Sequence, residues 1–517
     1  MRYQLLGLVY CFIFSSNALA FANANKLVGT KLEFERFDIT SPLKVSLPVI
    51  AANIVTESPA DELVLVGEDE FSQTWLAVYV FDINASKFVV LDKIKLTDDL
   101  FAYDVSENKE GLYFLSKNTV VSLKYNTEIK NNDIKKSGLY FEEKQAVNSI
   151  FLLNKASYIT KKNFIRDINK DGADDIVLPD FEQTNLWLSS DDKSGSNFQK
   201  IAIDSRSELD RGGVVFKPVE LFYEDFNLDD LQDVAWITQG KINYVSQNKD
   251  GSFSTQYNTI DLADSIFGLN WWDLRESDGQ SPDQSDLTHR AVEQIKDING
   301  DGFTDVIVKY TQSSGVLDRA NDYEFYFGYL NEQAQLAYSK KPSTVIRAEG
   351  TLTGLKILDV NEDKKFEVLL SSFELSVSNI IGALLSGGID QNVLIFALNN
   401  DDKYEEDALI SKEVELNFSL SSGQSGQPVV RLGDVNGDKL QDLLLSSGEE
   451  KLRIYLGNSS SGLFNRKASK HKVLLPKNGG LLEAHDLNND GKEDIIMSYG
   501  RLDEESMANK VTILMVK

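Results

Sequence analysis

Short apolar runs recur along this chain, and each is bounded by polar or turn-forming residues. Ile176–Leu178, Val306–Val308 and Leu443–Leu445 are examples. Apolar runs of this length between Asp, Asn and Gly residues are typical of β-strands, and their continuous apolar character indicates burial on both faces. The pattern therefore predicts an all-β protein made of many short strands.

Further strands follow each run at hairpin spacing. After Leu443–Leu445 come Lys451–Leu456 and Lys472–Leu475, which gives the four strands per unit that a blade of a β-propeller requires. The same spacing of strands, with several of the acidic residues replaced, begins near residue 47. We therefore predict a propeller of eight four-stranded blades, with seven as the alternative if one eroded unit is misread.

The two ends of the chain are expected to meet. The last unit has one strand, Val511–Val516, after its final apolar run, so it lacks a fourth strand. The N-terminal segment Lys31–Phe37 is a spare strand with partial alternation. Because an open propeller would leave unpaired sheet edges, we expect this segment to complete the last blade and close the ring.

The N-terminus carries the features of an export signal. Arg2 precedes the apolar run Leu5–Phe14, which is followed by small residues. A run of about ten residues is too short for a membrane span, which needs about twenty. We predict a signal peptide at residues 1–20, cleaved there or as late as residue 24, with an uncleaved anchor as the alternative. One propeller domain at 26–517 would follow, exported to the periplasm or the extracellular space.

Composition narrows the choice of partners. The chain has 53 Lys and Arg against 80 Asp and Glu, a formal charge of −27, which argues against nucleic acid and anionic membrane surfaces. The same excess favours divalent cations where the acids cluster. The single cysteine, Cys11, lies in the predicted signal peptide, so the mature protein would need a stabilising device other than a disulfide.

One acidic motif of nine residues recurs six times, each time directly before an apolar run. Its full form, Asp-x-Asn-x-Asp-Gly-x-x-Asp, occurs three times. Two further copies lack the glycine, and the weakest copy also ends in Glu367. The copies begin at Asp167, Asp225, Asp297, Asp359, Asp434 and Asp486.

The spacing within the motif suits a cation. Side chains at positions 1, 3 and 5 of a tight loop can converge on one point, position 7 offers its carbonyl, and position 9 completes a shell of the oxygens that Ca²⁺ prefers. Glycine at position 6 allows a left-handed turn, so the copies without it leave the turn open. A solvated turn is the alternative for one copy, but six copies favour a metal site.

The residues on either side of the motif exclude an EF-hand. An EF-hand loop has Glu at position 12 and helices on both sides. Here position 12 is Leu178, Val308 or Met497 in the three full copies, and apolar runs lie on both sides. The unit is therefore strand, acidic loop, strand.

This unit resembles the FG-GAP/VCBS repeat family, which includes the blades of the integrin α-subunit head. The resemblance implies a β-propeller whose structural Ca²⁺ loops join the first two strands of a blade. It also implies ligands at positions 1, 3, 5, 7 (the carbonyl) and 9 of each matching loop. These are Asp167, Asn169, Asp171, Ala173 and Asp175; Asp297, Asn299, Asp301, Phe303 and Asp305; Asp486, Asn488, Asp490, Lys492 and Asp494; Asp434, Asn436, Asp438, Leu440 and Asp442; and Asp225, Asn227, Asp229, Leu231 and Asp233.

One insertion is a candidate ligand surface. The segment Ser265–Arg290 carries Trp271 and Trp272 followed by a polar tract. Insertions between blades fall on a face of the disc, where an exposed Trp can stack on a sugar ring or a partner. The alternative is that one Trp packs between blades.

The sequence favours binding over catalysis. The three histidines, His289, His471 and His485, form no recognised catalytic motif, and no nucleophile elbow, zinc motif or phosphate loop occurs. We expect a secreted Ca²⁺-binding module for adhesion to a protein or carbohydrate ligand. The alternatives are a propeller-type polysaccharide-degrading enzyme and a purely structural surface component. We expect a monomer without a nucleic-acid partner or a membrane span.

Overall fold

The structure is a computed structural model. It describes residues 32–517 apart from 56–59, 83, 127–137, 157, 190–196, 211–212, 276–279, 316–317, 348–350, 374–387, 420–423 and 460–461. The predicted signal peptide at residues 1–20 lies outside the described residues.

The architecture is an all-β propeller of eight blades, as the strand spacing predicts. Within the described residues, forty strands form eight sheets of four or five strands and two separate two-stranded hairpins. Helical structure in the same residues is confined to 3-10 turns at Trp271–Asp273, Gly479–Leu481 and Glu505–Met507. In this part of the chain, no helix has the length and apolar character needed to span a bilayer.

The first half of the chain forms the N-terminal strand, blades 1 to 4 and one hairpin. The N-terminal strand is β1 (Phe34–Thr40). Blade 1 has β2 (Lys44–Val45), β3 (Ile50–Ala52), β4 (Glu62–Glu68), β5 (Thr74–Asp82) and β6 (Lys87–Lys95). Blade 2 has β7 (Ala102–Val105), β8 (Leu112–Leu115), β9 (Thr119–Asn126), β10 (Gly138–Ala146) and β11 (Thr160–Lys161). Blade 3 has β12 (Ile165–Arg166), β13 (Asp175–Pro179), β14 (Thr184–Leu188) and β15 (Asn197–Ile201). The hairpin that follows has β16 (Arg206–Asp210) and β17 (Gly213–Lys217). Blade 4 has β18 (Phe222–Glu224), β19 (Asp233–Thr238), β20 (Lys241–Val245) and β21 (Asn258–Asp261).

The second half forms blades 5 to 8 and the other hairpin. Blade 5 has β22 (Ile266–Phe267), β23 (Leu287–Lys296), β24 (Asp305–Gly315), β25 (Asp318–Tyr326) and β28 (Thr344–Ile346), with the hairpin β26 (Gly328–Leu330) and β27 (Leu336–Tyr338) between its last two strands. Blade 6 has β29 (Thr351–Leu358), β30 (Glu367–Phe373), β31 (Gly388–Phe396), β32 (Ile410–Ser419) and β33 (Gln424–Ser425). Blade 7 has β34 (Val430–Gly433), β35 (Asp442–Ser446), β36 (Lys451–Tyr455) and β37 (Ser469–Lys472); blade 8 has β38 (Leu482–His485), β39 (Asp494–Ser498) and β40 (Lys510–Val516).

The N-terminal strand closes the ring. β1 pairs antiparallel with β40, from Phe34 opposite Val516 to Thr40 opposite Lys510, and so supplies the fourth strand of blade 8. This confirms the predicted closure, with the strand placed three residues later than the pattern of residues 31–37 indicated. Pairing the two ends completes blade 8 with β1 as its outermost strand, so the start of the chain holds the last blade of the ring.

The core is divided among the gaps between blades. Eight clusters of buried apolar side chains each join two neighbouring blades, including one between blades 8 and 1. In that cluster Ile513 and Met515 of blade 8 pack with Leu63 and Leu65 of blade 1. The inner strands, such as β13 and β35, are thus covered on both sides, which explains why their apolar runs are continuous rather than alternating.

The disc has two chemically different faces. The four main strands of a blade run antiparallel to their neighbours, while the short strands β11 and β22 pair in parallel with β7 and β23. The connections between the first and second and between the third and fourth main strands therefore lie at one end of the blade, and the remaining connections lie at the other. We call the first end the loop face, because it carries the six acidic loops. We call the other end the insertion face, because it carries the long connections 202–221 and 262–286.

Candidate metal loops and ligand face

The six acidic loops occupy the same place in six successive blades, 3 to 8. Each joins two antiparallel paired strands, as between β12 and β13 in blade 3 or β38 and β39 in blade 8. The ninth residue of every loop is the first residue of the following strand. The strand pairing therefore fixes both ends of each loop, and the nine residues have little freedom between them.

All six loops have the same backbone turn. Positions 4 and 6 have positive φ in every copy, between 56° and 89°. At position 6 this includes Asp230 at 65°, Lys364 at 69° and Lys439 at 72°, which stand where the full motif has glycine. The sequence alone did not decide whether the copies without glycine form this turn, and the structure shows that they do. The left-handed conformation costs each of these residues about 1 kcal/mol of stability.

Side chains at positions 1, 3 and 5 hold this turn from within. In the first loop Gly172 N–H donates to Asp167 Oδ2 at 2.9 Å, and Asp171 N–H donates to Asn169 Oδ1 at 3.2 Å. Ala173 N–H donates to Asp171 Oδ1 at 2.9 Å. The other five loops repeat these three bonds. The Asn amide also lies 2.9–3.4 Å from the position-5 carboxylate in every copy, so these polar groups converge.

The ninth residue is a buried acid that joins the loop to the rest of its blade. Its exposed fraction is 0–2% in all six copies. One oxygen of Asp175 accepts the N–H of Ile168 at 3.1 Å, and its other oxygen accepts the N–H of Ser189, just beyond the third strand, at 2.7 Å. Four other loops repeat both bonds, and the Glu367 copy repeats the first.

Burial raises the pKa of every ninth carboxylate. Burial is the largest cause; the carboxylates at positions 5 and 1 raise the pKa further, while the backbone N–H donors lower it. The pKa is about 7 for Asp175, Asp305, Glu367 and Asp442, and about 6 for Asp233 and Asp494. The three acids of a loop therefore repel one another, and a cation among them would relieve that repulsion.

Backbone hydrogen bonds connect successive loops around the ring. The N–H at position 8 of one loop donates to a carbonyl at position 1 or 2 of the loop before it. The pairs are Phe366 to Ile298 at 2.9 Å, Gln441 to Val360 at 3.2 Å and Glu493 to Asp434 at 2.8 Å. The loops of blades 5 to 8 therefore form one connected band on the loop face.

Gln247 makes the same connection between blades 3 and 4 with its side chain. Its Oε1 accepts the N–H of Gln232 at 3.1 Å, and its Nε2 donates to the carbonyl of Asn169 at 2.9 Å. Sequence reasoning missed this residue, because a glutamine in a connection outside the motif has no local signal. Its role depends on the neighbouring blade.

The donor set of each loop fits a hard divalent cation. The donors are carboxylate, amide and carbonyl oxygens, which suit Ca²⁺ rather than metals that prefer nitrogen or sulfur. As described, these oxygens instead accept hydrogen bonds from the loop's own N–H groups. Among the residues that the structure describes, no three His, Cys, Asp or Glu side chains stand grouped as a metal site. Binding would thus require the convergent side chains to turn from the backbone toward the ion.

Comparison with known proteins supports the family resemblance. Residues 434–497, which include the loops of blades 7 and 8, match the model of the FG-GAP-like repeat. The chain is a β-propeller that carries an FG-GAP-like repeat in blades 7 and 8. No curated protein matches it.

Solved structures similar to this propeller are distant. One is a lectin from Agrocybe aegerita, described with specific recognition of non-reducing terminal N-acetylglucosamine, at 14% identity and a TM-score of 0.38 over 82% of this chain and 94% of the lectin. Another is KlHsv2 with loop 6CD replaced by a Gly-Ser linker, at 9% identity and a TM-score of 0.31 over 81% of this chain and 98% of that one. At these scores neither likeness carries an argument about function.

Blade 1 of the propeller keeps part of the loop architecture. Glu62 is fully buried, and its Oε2 accepts the N–H groups of Ile54 at 2.6 Å and Val55 at 3.2 Å. The N–H of Asp61 donates to the carbonyl of Leu487 in blade 8, which continues the band of loops. The sequence pattern pairs Asn53 with Asp61, but Glu62 occupies the buried place. Its position directly before the apolar run Leu63–Val66 was the available signal.

The two tryptophans of the candidate ligand surface differ in burial. Trp271 is 6% exposed, and the Arg319 guanidinium lies 4.7 Å from its ring centre. Trp272 is 43% exposed, and Lys309 Nζ lies 5.2 Å from its ring centre. Of these two tryptophans, Trp272 therefore offers its ring to a ligand on the insertion face, while Trp271 anchors the insertion.

The histidine beside the last acidic loop has a structural environment. His485 Nε2 lies 2.5 Å from Asp61 Oδ2 of blade 1, and its Nδ1 lies 2.6 Å from Lys109 Nζ of blade 2. Both ring nitrogens are engaged, so the imidazole connects three blades where the ring closes. This arrangement leaves no nitrogen to accept a substrate proton.

Proposed function

We propose that this protein is an exported, calcium-stabilised propeller that acts as a binding or adhesion module for a protein or carbohydrate ligand. The observation that supports this proposal is the structural difference between the two faces of the disc. The loop face repeats one acidic turn six times. The insertion face carries the long connections and an exposed aromatic residue, Trp272. Repetition suits stabilisation, whereas the non-repeated face can be specific.

In this proposal Ca²⁺ is held by positions 1, 3 and 5, the carbonyl of position 7 and the carboxylate of position 9 in each loop. The ion would supply a cross-link between the two strands that the loop joins. Sites with a Kd of about 10⁻⁴ M, the tight end of the range for extracellular modules, would add about 1–2 kcal/mol each at millimolar Ca²⁺. In a protein expected to lack disulfides, several such sites would set the thermal stability.

Thermal unfolding of the purified protein tests the calcium part. We expect a higher melting temperature in millimolar Ca²⁺ than in chelator, and metal analysis of the dialysed protein should find several equivalents of calcium. Identical melting curves together with an absence of bound metal would refute it. Mg²⁺ at the same ionic strength separates specific binding from screening of the −27 charge.

A glycan array and a panel of surface proteins, probed with and without Ca²⁺, test the binding part. We expect Trp272→Ala to weaken retention of a ligand that binds near this residue. Tyr257→Ala is the matched control, because Tyr257 is an exposed aromatic residue on the loop face. Release of cleaved product from a polysaccharide would instead favour the enzymatic alternative.

A further inference from the structure

One hairpin on the insertion face has its polarity reversed. β16 and β17 form a separate two-stranded sheet between blades 3 and 4, in which Leu209 lies opposite Val214 and Ser207 opposite Phe216. Side chains of a strand alternate between its two faces, so one face carries Leu209, Val214 and Phe216 and the other carries charged residues.

The charged face of this hairpin is the one turned toward the protein. Glu208 has a side chain only 8% exposed, bonded to Arg206 and to Lys217 at 2.8 Å. Lys217 also lies 3.9 Å from Asp273 of the neighbouring insertion. By contrast, Leu209 is 56% exposed and Val214 59% exposed. A solvated hairpin normally buries its apolar side, because exposing it forfeits hydrophobic stabilisation.

The other two-stranded hairpin, β26 and β27, shows the ordinary polarity. On one face, Leu336 and Tyr338 are buried in the core cluster between blades 4 and 5, while Tyr329 on the other face is 47% exposed. The reversal at β16–β17 is thus a property of that hairpin and not of every hairpin in this fold.

The exposed apolar side continues into blade 3 and a cavity. Phe216 meets Phe181 edge to face, with ring centres 4.7 Å apart, and both rings are more than a third exposed. Beside them a cavity of about 420 Å³ is lined by Pro179, Thr184, Pro218 and Tyr223, among others. Together they form an apolar surface with an adjoining pocket large enough for a side chain.

We propose that this surface docks an extended apolar segment of another protein, which adds as a strand to the free edge of the hairpin. Neither outer edge is paired with another described strand, and strand addition uses such edges for main-chain hydrogen bonds. The docked segment would cover Leu209, Val214 and Phe216. This inference rests on the proposed binding function and specifies the partner as a protein.

Charge and size select this occupant over the others. A few side chains cannot bury the more than about 1,200 Å² that a stable dimer needs, and two copies with a charge of −27 each repel. Aliphatic Leu209 and Val214 suit a peptide better than a sugar, which stacks on aromatic rings. Around the hairpin the cations Arg206, Lys217 and Arg275 are equalled by the acids Glu208, Asp210 and Asp273 of the sequence, so local charge does not select the flanks of the segment.

A labelled synthetic peptide tests the proposal. The probe is a strand-forming peptide of about ten residues, with alternating Val and Thr and a Glu at each end, and its control has Pro at the two central positions. We expect the parent protein to bind the probe and not the Pro control. The double variant Leu209→Lys with Val214→Lys should weaken binding at least about tenfold. Leu330→Lys on the other hairpin should leave binding unchanged.

Several further outcomes decide against the proposal. Failure of the probe to bind, or unchanged binding to the double variant, would overturn it. A fall in the melting temperature of the double variant would show that the apolar side is covered within the chain. Self-association, or binding to phosphatidylserine vesicles, that the double variant abolishes would assign the surface to a second copy or a membrane. A glycan bound at Trp272 with no peptide bound would leave the proposed function standing and overturn only this inference.

Discussion

Two connections, between β3 and β4 in blade 1 and between β7 and β8 in blade 2, occupy the same place in their blades as the six acidic loops. Their hydrogen bonding, however, differs from that of the loops. Blade 1 keeps the buried acid, Glu62, but has Val55 where the loops have a ligand-type Asn. Blade 2 closes its turn through the hydroxyl of Ser106, which accepts the N–H of Gly111 at 2.7 Å. Asp104 of blade 2 accepts N–H groups of blade 3 instead.

This difference distinguishes two roles of the acidic motif, which are building the blade and offering ligands to a cation. Blade 1 retains the buried acid although Val55, whose side chain has no polar atom, stands at position 3, so the task of the buried acid is to bind backbone N–H groups and build the blade. The polar side chains at positions 1, 3 and 5 of the six acidic loops are therefore not all required for that task. They are therefore the part of the motif that points to a cation.

The largest effect is expected from removing the buried acid in either kind of blade. Asp305 accepts the N–H groups of Ile298 and Gly328, and Glu62 accepts those of Ile54 and Val55. Asp305→Ala and Glu62→Ala should each lower the free energy of unfolding by about 3 kcal/mol, because two buried N–H groups lose their acceptor. Denaturant unfolding in chelator measures this; a Glu62→Ala variant as stable as the parent would break the comparison.

Removing a position-5 acid should matter only where calcium is proposed. Asp171→Ala should reduce the stabilisation by millimolar Ca²⁺ by about 1–2 kcal/mol, one loop's share, and remove about one bound calcium. Asn108→Ala in the connection of blade 2 is the matched control and should change neither quantity. Calorimetric melts with metal analysis measure both, and equal calcium effects in the two variants would contradict the separation of tasks.

The pH dependence should follow the ninth carboxylates. Burial raises the pKa of Asp442 from 3.8 to about 7, so between these values the folded state binds more protons than the unfolded state. Stability in chelator should therefore rise as the pH falls from 8 toward 5.5 or so. Asp442→Asn should flatten this rise. Melting temperatures across that range measure it, and a rise in stability with pH in chelator would contradict the expectation.

The smallest effect concerns the turns without glycine. Lys439 has φ of 72° at position 6, a conformation that glycine adopts freely. Lys439→Gly should raise the free energy of unfolding by up to about 1 kcal/mol, whereas Gly302→Ala, at φ of 88°, should lower it by a similar amount. Denaturant unfolding compares the two; a destabilising Lys439→Gly would show that the loops differ in shape after all.

Much of the fold was predictable because its signals are local. A loop and the apolar run after it lie within a dozen residues, so strand, turn and strand can be recognised without knowing the neighbours. Ring closure was predictable as well, since a missing fourth strand at one end and a spare strand at the other leave one arrangement without open edges. The position of the closing strand was less well determined, because residues 34–40 alternate only in part.

Parts of the candidate site were not predictable because they depend on packing between blades. Trp271 and Trp272 are adjacent and identical in type, yet one is buried and the other exposed. Gln247 acts through the blade before it. Leu209 and Val214 would normally be assigned to the core, but the hairpin turns its charged side toward Asp273. A local sequence pattern carries no information about the residues of the neighbouring blade that pack against it.

The sequence by itself determined the strand order, the number of blades and the spacing of acids in each loop, because these depend on short-range periodicity and the geometry of tight turns. Only the tertiary structure decided that loops with and without glycine take one turn, that Glu62 replaces Asp61 as the buried acid, and that the insertions gather on the opposite face. Burial and hydrogen-bond partners are set by neighbouring blades, which the chain brings together from positions up to several hundred residues apart.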